Sequence, residues 1–356
     1  MNAYTCIEVA DRKSVKQFLS LPSRLYEADC PQDRKAEQLL LTGKHPLSPD
    51  LQITPFLTVD GKGRAICRCL LTYYVNDPVA YVGFFEAFPN EDAVRLMMRT
   101  VEKRARLDGK TTLLGPIDAS IYIGYRFKID RFDTTYTGEP YNKPYYAALW
   151  EACGYRVRDR YVSNHMRKVL AEDIDPRLLR MHQRYLDRGY QFVSPTKANF
   201  RQCLADVYES MMELYSSFSG FKPLTKEQYL ELFTPLEKVL NLDLVKLAYK
   251  DGKLMAFAIA LPNYRYLTRG RPTLCKLLKI LRTKKHPDEG VVLYVGASRS
   301  ASGLGGAIAQ QLRNALCEAG CSSIGALIKE GNVTDRMYES LQIDRFQYVL
   351  LTKELN

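Results

Sequence analysis

The sequence lacks long apolar runs, and this absence excludes a polytopic membrane protein. The longest runs, such as residues 291–295, are far shorter than the roughly 20 residues that a membrane-spanning helix needs. The first residues hold no basic stretch followed by an apolar segment, so we expect no signal peptide. These two features together predict a cytoplasmic protein.

Regular spacing of metal-binding or disulfide-forming residues is also missing. The nine cysteines, an odd number, include no Cys-x-x-Cys pair, which argues against a complete disulfide framework. The four histidines lie far apart, and no group of Cys, His and acidic residues has the spacing of metal ligands. We therefore predict that the protein binds no metal.

A strong excess of positive charge is present instead. The net charge is +11 over 356 residues, which favours an acidic partner. Basic residues are concentrated in residues 262–290, which hold eight Lys and Arg against two acids. No stripe of basic residues interleaved with aromatics occurs elsewhere, so we do not expect nucleic-acid binding.

A predicted amphipathic helix lies inside this basic segment. Four leucines at positions 274, 277, 278 and 281 share one helical face, and Lys276, Lys279 and Arg282 lie away from it. One interpretation is docking to an acidic acyl carrier protein or to an anionic membrane. The other is a helix that packs its leucines on the core and leaves the basic face in solvent.

Strands and helices follow the same order in both halves of the chain. Apolar periodicity and turn residues predict a strand, two helices, three strands, a helix, a strand, a helix and a closing strand, twice over. The strand–helix–strand crossover must be parallel and right-handed. We predict a mixed α/β protein with two domains, residues 1–169 and 170–356, each a mixed β-sheet flanked by helices.

Residues 299–306, Arg-Ser-Ala-Ser-Gly-Leu-Gly-Gly, follow a predicted buried strand and open a helix. Glycine backbone can curl closely around a diphosphate, and the free N–H groups at a helix N-terminus favour negative charge. A Rossmann fingerprint would need another glycine where Ile308 stands, and the Gly-Lys-Ser/Thr of a P-loop is absent. A tight strand–helix turn without a ligand is the alternative.

The element order and this loop resemble the GNAT superfamily, and in particular bacterial proteins with two GNAT-like halves. The glycines match the family pattern Gln/Arg-x-x-Gly-x-Gly/Ala, although Ser300 occupies the first position, with Arg299 before it. The first half matches the family's late helix at residues 149–155, but its corresponding turn, residues 86–90, has no glycine. The resemblance therefore implies a degenerate first half and an acyl-CoA site in the second.

From this resemblance we expect acetyl-CoA or a longer acyl-CoA as the donor and a small-molecule or peptide amine as the acceptor. The family often protonates the leaving thiolate with a tyrosine, and Tyr338 matches it. The buried strand 291–295 carries no carboxylate; Glu330, the carboxylate nearest the motif, is the candidate base, and a chain of water molecules is the alternative. The expected cofactor-binding residues are Arg299, Ser300, Ser302, Gly303, Leu304, Gly305, Gly306 and Asn332. The alternatives are a non-catalytic sensor of CoA or acyl ligands and a carrier-protein-dependent N-acyltransferase.

A long segment in the first half, residues 117–140, has no counterpart in the second. Loops of this length in compact domains are usually functional or disordered. Its aromatic and acidic content suits a wall around a cationic or amine substrate. The candidate substrate-binding residues are Tyr122, Tyr136, Glu139, Tyr141 and Asn142; the alternative is a packed structural flap.

Overall fold

The computed structural model describes residues 4–26, 34–173, 175–268, 273–298, 300–336 and 339–355. The strands of the first half are β1 (Tyr4–Glu8), β2 (Leu51–Asp60), β3 (Ala65–Tyr74), β4 (Val79–Ala87), β5 (Thr112–Gly115), β6 (Phe127–Lys128) and β7 (Arg156–Met166). Those of the second half are β8 (Gln191–Val193), β9 (Val245–Lys250), β10 (Lys253–Pro262), β11 (Glu289–Ala297), β12 (Ser322–Lys329) and β13 (Gln342–Glu354).

The helices flank these strands in the same order. They are α1 (Arg12–Ser20), α2 (Pro22–Leu25), α3 (Arg34–Leu41), α4 (Glu91–Leu107), α5 (Tyr146–Ala152), α6 (Pro176–Asp187), α7 (Phe200–Tyr215), α8 (Lys226–Phe233), α9 (Leu274–Lys285) and α10 (Leu304–Glu318). Within the described residues, no helix is long and apolar enough to cross a membrane. The eight cysteines in that part of the chain carry free thiols.

Local sequence signals explain where several elements start and stop. The Asn90 side chain caps α4 by accepting from the N–H of Ala93, and the apolar stripe of that helix is buried as its 3.6-residue period predicts. Asp251 and Gly252 both have positive φ and close the β9–β10 hairpin. Pro235 cannot continue α8, and a 3₁₀ turn replaces the helix from Thr234.

The strands within the described residues form one continuous sheet rather than two. Its order is β1-β2-β3-β4-β5-β13-β7-β12-β11-β10-β9-β8, and β6 pairs with β13 outside that path. β4 with β5, and β11 with β12, are parallel, as the predicted crossovers require. The other neighbouring pairs are antiparallel.

The two closing strands have exchanged places in this sheet. β13 ends the second half but pairs with β5 of the first, and β7 ends the first half but pairs with β12 of the second. β7 and β13 also pair with each other along most of their length. Each half is thus completed by a strand from the other, and the predicted boundary near residue 170 separates repeats that share one sheet.

A shared core strengthens this connection. One cluster of buried residues joins Leu40, Leu70 and Tyr136 of the first half to side chains of α7, β10 and β12 in the second. Although other clusters lie within one half, this core belongs to both repeats, so part of the apolar surface of each half is buried only against the other.

The prediction of a late helix in the second half, over residues 333–341 before the closing strand, is wrong. Two short 3₁₀ turns, Val333–Arg336 and Glu339–Leu341, lie there instead, directly before β13. The Asp335 carboxylate accepts from the N–H of Gly331, and Asn164 and Arg345 also donate to this side chain. These contacts hold the segment against the sheet, and few residues remain in which to form an α-helix.

Candidate active site

β11 and β12 part from each other halfway along their length. They pair in parallel only over residues 289–292 and 322–325. Just beyond, Leu293 is an extra residue on β11, because Ile259 and Ala260 of β10 oppose Tyr294 and Val292. Leu327 on β12 has a positive φ of 56°. A bulge on one strand and an irregular residue on the other therefore open a cleft in the sheet.

This cleft opens into a cavity of about 1400 Å³ that both halves line. Leu293, Tyr294 and Val295 contribute from β11, and residues 326–329 contribute from β12. Apolar side chains of α7, α8 and the turn after it form another wall. The opposite end is formed by the first half, with charged side chains on β3 and β4. The volume exceeds the roughly 300–1,000 Å³ of typical ligand pockets, so the cavity has room for a large ligand.

The corresponding cleft in the first half is filled by its own chain. β4 also carries a bulge, since Arg68 and Leu70 oppose Glu86 and Gly83, and Phe84 within it has a φ of 46°. The N–H of Phe84 donates to the Asp118 carboxylate. A Cβ on Gly83 would lie 1.9 Å from the carbonyl oxygen of Ile117. Residues 117–118 thus occupy the space that stays open in the second half.

A buried carboxylate faces the cavity from the end of β4. The Glu86 carboxylate accepts a hydrogen bond of 2.6 Å from the Tyr146 hydroxyl. The side chain is half-buried and lines the cavity, and burial raises its pKa to about 7 against the opposing influence of Arg68. The Arg68 guanidinium donates two hydrogen bonds of 2.9 Å to the Glu37 carboxylate. Glu37 therefore balances most of the Arg68 charge, and little of it is left to stabilise ionised Glu86.

Comparison with solved structures shows the same architecture in proteins of low sequence identity. A tandem GNAT protein from the clavulanic acid biosynthesis pathway superimposes with a TM-score of 0.53 at 15% identity, covering 99% of both chains. A conserved protein of unknown function from Enterococcus faecalis V583 gives 0.55 at 10% identity, covering 99% of this chain and 73% of its own. No protein-family model and no curated protein matches the sequence.

The chain has a tandem GNAT fold. A third structure, a GCN5-related N-acetyltransferase from Kribbella flavida, agrees, with a TM-score of 0.50 at 8% identity over 99% of this chain and 72% of its own. At these identities the likeness establishes the fold, and the chemistry has to be argued from the site.

In this GNAT fold the predicted phosphate loop lies beside the cavity rather than in its lining. Gly303 has a φ of 91° and caps the start of α10. Met181 and Leu178 of α6 pack on Gly303 and Gly306, where an added Cβ would lie 3.0 and 3.1 Å from their side chains. At these two positions the lack of a side chain therefore allows α6 to pack closely on the loop, and the space is not left for a ligand.

The other loop residues differ in how accessible they are. Gly305 is open, because the first atom that its Cβ would meet is 3.8 Å away. Ser300 and Ser302 are exposed, whereas Leu304 is fully buried in the core and can offer only its backbone. Arg299 lies outside the described residues. Gly305 and the two serines are thus the part of the predicted site that a phosphate group can reach.

The predicted residues Asn332, Glu330 and Tyr338 differ in their position relative to the cavity. Asn332 lines the cavity, which is compatible with its predicted contact to the donor. The Glu330 side chain is 46% exposed, 3.4 Å from Arg345, and does not line the cavity, so its position does not support a role as base. Tyr338 lies outside the described residues, and its role remains a prediction.

The long segment 117–140 is packed, but part of it faces the cavity. Tyr122, Glu139, Tyr141 and Asn142 line the cavity wall. Tyr136 is 1% exposed, and its hydroxyl lies 2.7 Å from that of Ser163 and 3.1 Å from that of Tyr348. The predicted contact of Tyr136 with substrate is replaced by a buried hydrogen-bond network.

Glu139 and Asn142 also serve that packing. Glu139 accepts from the Tyr348 hydroxyl at 2.6 Å and pairs with Lys128 at 2.9 Å. The Asn142 amide exchanges hydrogen bonds with the backbone of Lys128. Tyr122 and Tyr141 have neighbours too, since the Tyr122 hydroxyl donates to the Met212 sulfur and the Tyr141 ring packs on Tyr26, so all four residues combine packing with a place in the cavity wall. Within the described chain, no group of three potential metal ligands occurs.

Sequence reasoning missed Glu86. It lies near the end of β4, in a segment that the sequence analysis treats only as a turn without the glycines that a diphosphate needs. A signal was present, because a carboxylate at the end of an aromatic, β-branched strand must either find partners or face a cavity. The local sequence does not reveal that the cavity is shared with the other half.

Proposed function

We propose that this protein is an acyltransferase that moves an acyl group from acyl-CoA to an amine acceptor. The observation that carries the proposal is the parting of β11 and β12 at the Leu293 bulge, directly onto a large cavity. Parted strands present backbone N–H and C=O groups that an extended ligand with amide groups can pair with. The pantetheine arm of CoA has two such amides.

The reaction requires the amine to lose a proton, the thioester oxygen to be stabilised and the CoA thiolate to be protonated. Backbone N–H groups at the bulge are suited to the oxygen, which becomes negative when the amine attacks. Tyr338 remains the proposed proton donor to the thiolate. CoA phosphates would lie at the start of α10, with Gly305, Ser300 and Ser302 as their partners.

Glu86 is the proposed general base in place of Glu330. With a pKa of about 7, close to the working pH, its carboxylate both accepts a proton and releases it again. The hydroxyl of Tyr146 fixes its orientation. In this proposal the half without an open acyl cleft contributes the base, and the other half binds the donor.

Calorimetric titration with CoA, acetyl-CoA and a long-chain acyl-CoA tests the donor site. We expect micromolar binding to the wild type and at least a tenfold loss in Gly305→Glu, because a carboxylate there repels the phosphates. The substitution fits sterically, since the nearest atom is 3.8 Å from the new Cβ. Gly61→Glu, in an open turn with nothing within 4 Å, is the matched control.

Two outcomes would redirect the proposal. If the protein binds CoA but no amine in a panel of acceptors leads to release of the CoA thiol from acetyl-CoA, the non-catalytic sensor is favoured. Binding of none of the three ligands would exclude a CoA-dependent enzyme and leave a carrier-protein donor to be tested.

A further inference from the structure

Arg126 is a buried cation on the cavity wall. It is 4% exposed and lines the cavity. Its guanidinium lies between two aromatic rings, 3.6 Å from the ring centroid of Tyr125 and 3.9 Å from that of Tyr161. Among the described residues, its Nε and Nη1 atoms have no hydrogen-bond partner. The rings hold the guanidinium in place without neutralising it.

No carboxylate in the described part of the chain forms an ion pair with Arg126. The groups that act most strongly on its charge are the tyrosines at positions 161, 136, 348 and 215. Burial lowers the pKa of Arg126 to about 10, which still leaves it charged at neutral pH. Arg68, which also lines this cavity, is paired with Glu37, and Lys128, two residues along the chain from Arg126, is paired with Glu139. Arg126 differs from both because its counter-charge is not provided by the described chain.

We propose that Arg126 binds an oxyanion, a carboxylate or a phosphate, of the molecule that occupies the cavity. A buried cation without a partner destabilises the fold, and a ligand oxyanion would supply the missing partner through charge-assisted hydrogen bonds. The neighbouring wall from α8 and the following turn is apolar, with Leu232, Phe233 and Leu236. The ligand class is therefore an amphiphile with one oxyanion and an apolar chain.

Three eight-carbon probes separate charge from chain: octanoate, octyl phosphate and neutral octan-1-ol. Thermal unfolding and calorimetry of the wild type should show binding of one or both anions and weaker binding of the alcohol. The anion that binds more tightly distinguishes a carboxylate from a phosphate ligand. Neither measurement involves acyl transfer, so the result stands apart from the proposed reaction.

The decisive variant is Arg126→Met, which keeps the apolar stem and removes the charge. We expect at least a tenfold loss of anion affinity and a ligand-free melting temperature equal to or above that of the wild type, because an uncompensated charge has gone. Arg160→Met, at an exposed position, controls for the change in net charge.

Two results would overturn the proposal: equal affinity of the wild type for anion and alcohol, or unchanged anion binding in Arg126→Met. If the methionine variant does not fold, Arg126→Gln replaces it in the same titrations. A purely structural arginine would lower the melting temperature and leave the preference for anions intact.

A separate observation concerns helix α9, whose leucines point away from the protein. Leu274, Leu277, Leu278 and Leu281 are 73%, 48%, 59% and 62% exposed. The inner side is held by Ile280, which packs on the core, and by Lys284, whose Nζ donates to the carbonyl oxygens of Glu237 and Lys238. The orientation of α9 is thus the opposite of the orientation expected for a helix that packs its apolar face on the core.

Charge indicates what covers this face. Lys279, Arg282 and Lys285 are exposed around the leucines, so a second copy of the same face would be repelled and an acidic surface attracted. The four leucines are all exposed on one helix, which suits their insertion into a fluid surface. Leucines flanked by basic residues are typical of helices that lie in the interface of an anionic bilayer. The preceding chain supplies Tyr264 and Thr268 to the cavity wall, so docking would place the cavity beside the lipid.

We infer that α9 docks the protein onto anionic membranes. Co-sedimentation with phosphatidylcholine vesicles, with and without phosphatidylglycerol, measures this directly. We expect binding that requires the anionic lipid and falls at least tenfold in Leu277→Gln/Leu281→Gln and in Lys279→Glu/Arg282→Glu/Lys285→Glu. Leu107→Gln, at a 74% exposed leucine elsewhere, should bind as the wild type does. Unchanged binding in both α9 variants, or binding only to an acidic acyl carrier protein, would overturn the inference.

Discussion

Glu86 owes its unusual acidity to a competition among its neighbours. Burial beneath the cavity disfavours the charged form, whereas Arg68 and the Tyr146 hydroxyl favour it. Burial wins because Glu37 already satisfies the guanidinium of Arg68 through two hydrogen bonds. Asp118, nearby, shows the same balance, and burial raises its pKa to about 6. Both side chains are therefore able to exchange protons near neutral pH.

Glu86→Gln tests this residue through activity. In the wild type, kcat/KM for the acceptor should fall as pH drops below about 7, because protonated Glu86 cannot accept a proton. The variant should lose roughly 10²- to 10⁴-fold in rate and also lose that limb of the pH profile. A pH profile unchanged in the variant would remove Glu86 from the mechanism.

The pH dependence of stability provides a second test of the raised pKa of Glu86. Because the pKa of Glu86 is higher in the folded than in the unfolded chain, the wild type loses stability from this group as pH rises from about 4.5 to 7. Glu86→Gln should therefore be more stable than the wild type by about 1–2 kcal/mol at pH 8 and no more stable at pH 4. Urea unfolding at the two pH values measures this difference.

At the scale of elements, the sequence predicted what depends on neighbouring residues. The Asp251-Gly252 turn, the apolar stripe on α4 and the break at Pro235 all follow from residues close together in the chain. The late helix over residues 333–341 failed because Asp335 is held by Asn164, which is distant in sequence. For the same reason the packing of α6 on Gly303 and Gly306 could not be predicted from the glycine pattern.

The candidate site shows the same limit. The element order and the glycine loop predict a donor site after the strand that became β11, but they do not reveal the bulge at Leu293 within that strand. The filling of the other cleft by residues 117–118 depends on a loop folding back onto Gly83. A cavity built from both halves could not be recognised while they were treated as separate domains.

At the scale of the whole molecule, the exchanged strands should make folding a single event. Leu350 of β13 is fully buried against Tyr81 and Leu114, which belong to the first half. A change in the last strand of the second half is therefore expected to act on the first half as strongly as on its own. This coupling follows from the sheet order and does not depend on the proposed reaction.

Leu350→Ala should lower the free energy of unfolding by about 2–5 kcal/mol, the usual loss for a buried leucine. Unfolding should keep a single transition, and hydrogen exchange should speed up in β5 and β7 together. Ile343→Ala, at a 61% exposed position on the same strand, should change stability by under about 0.5 kcal/mol. Two separate transitions, with β1 to β5 as stable as in the wild type, would instead mean that each half folds alone and that the exchanged strands dock afterwards.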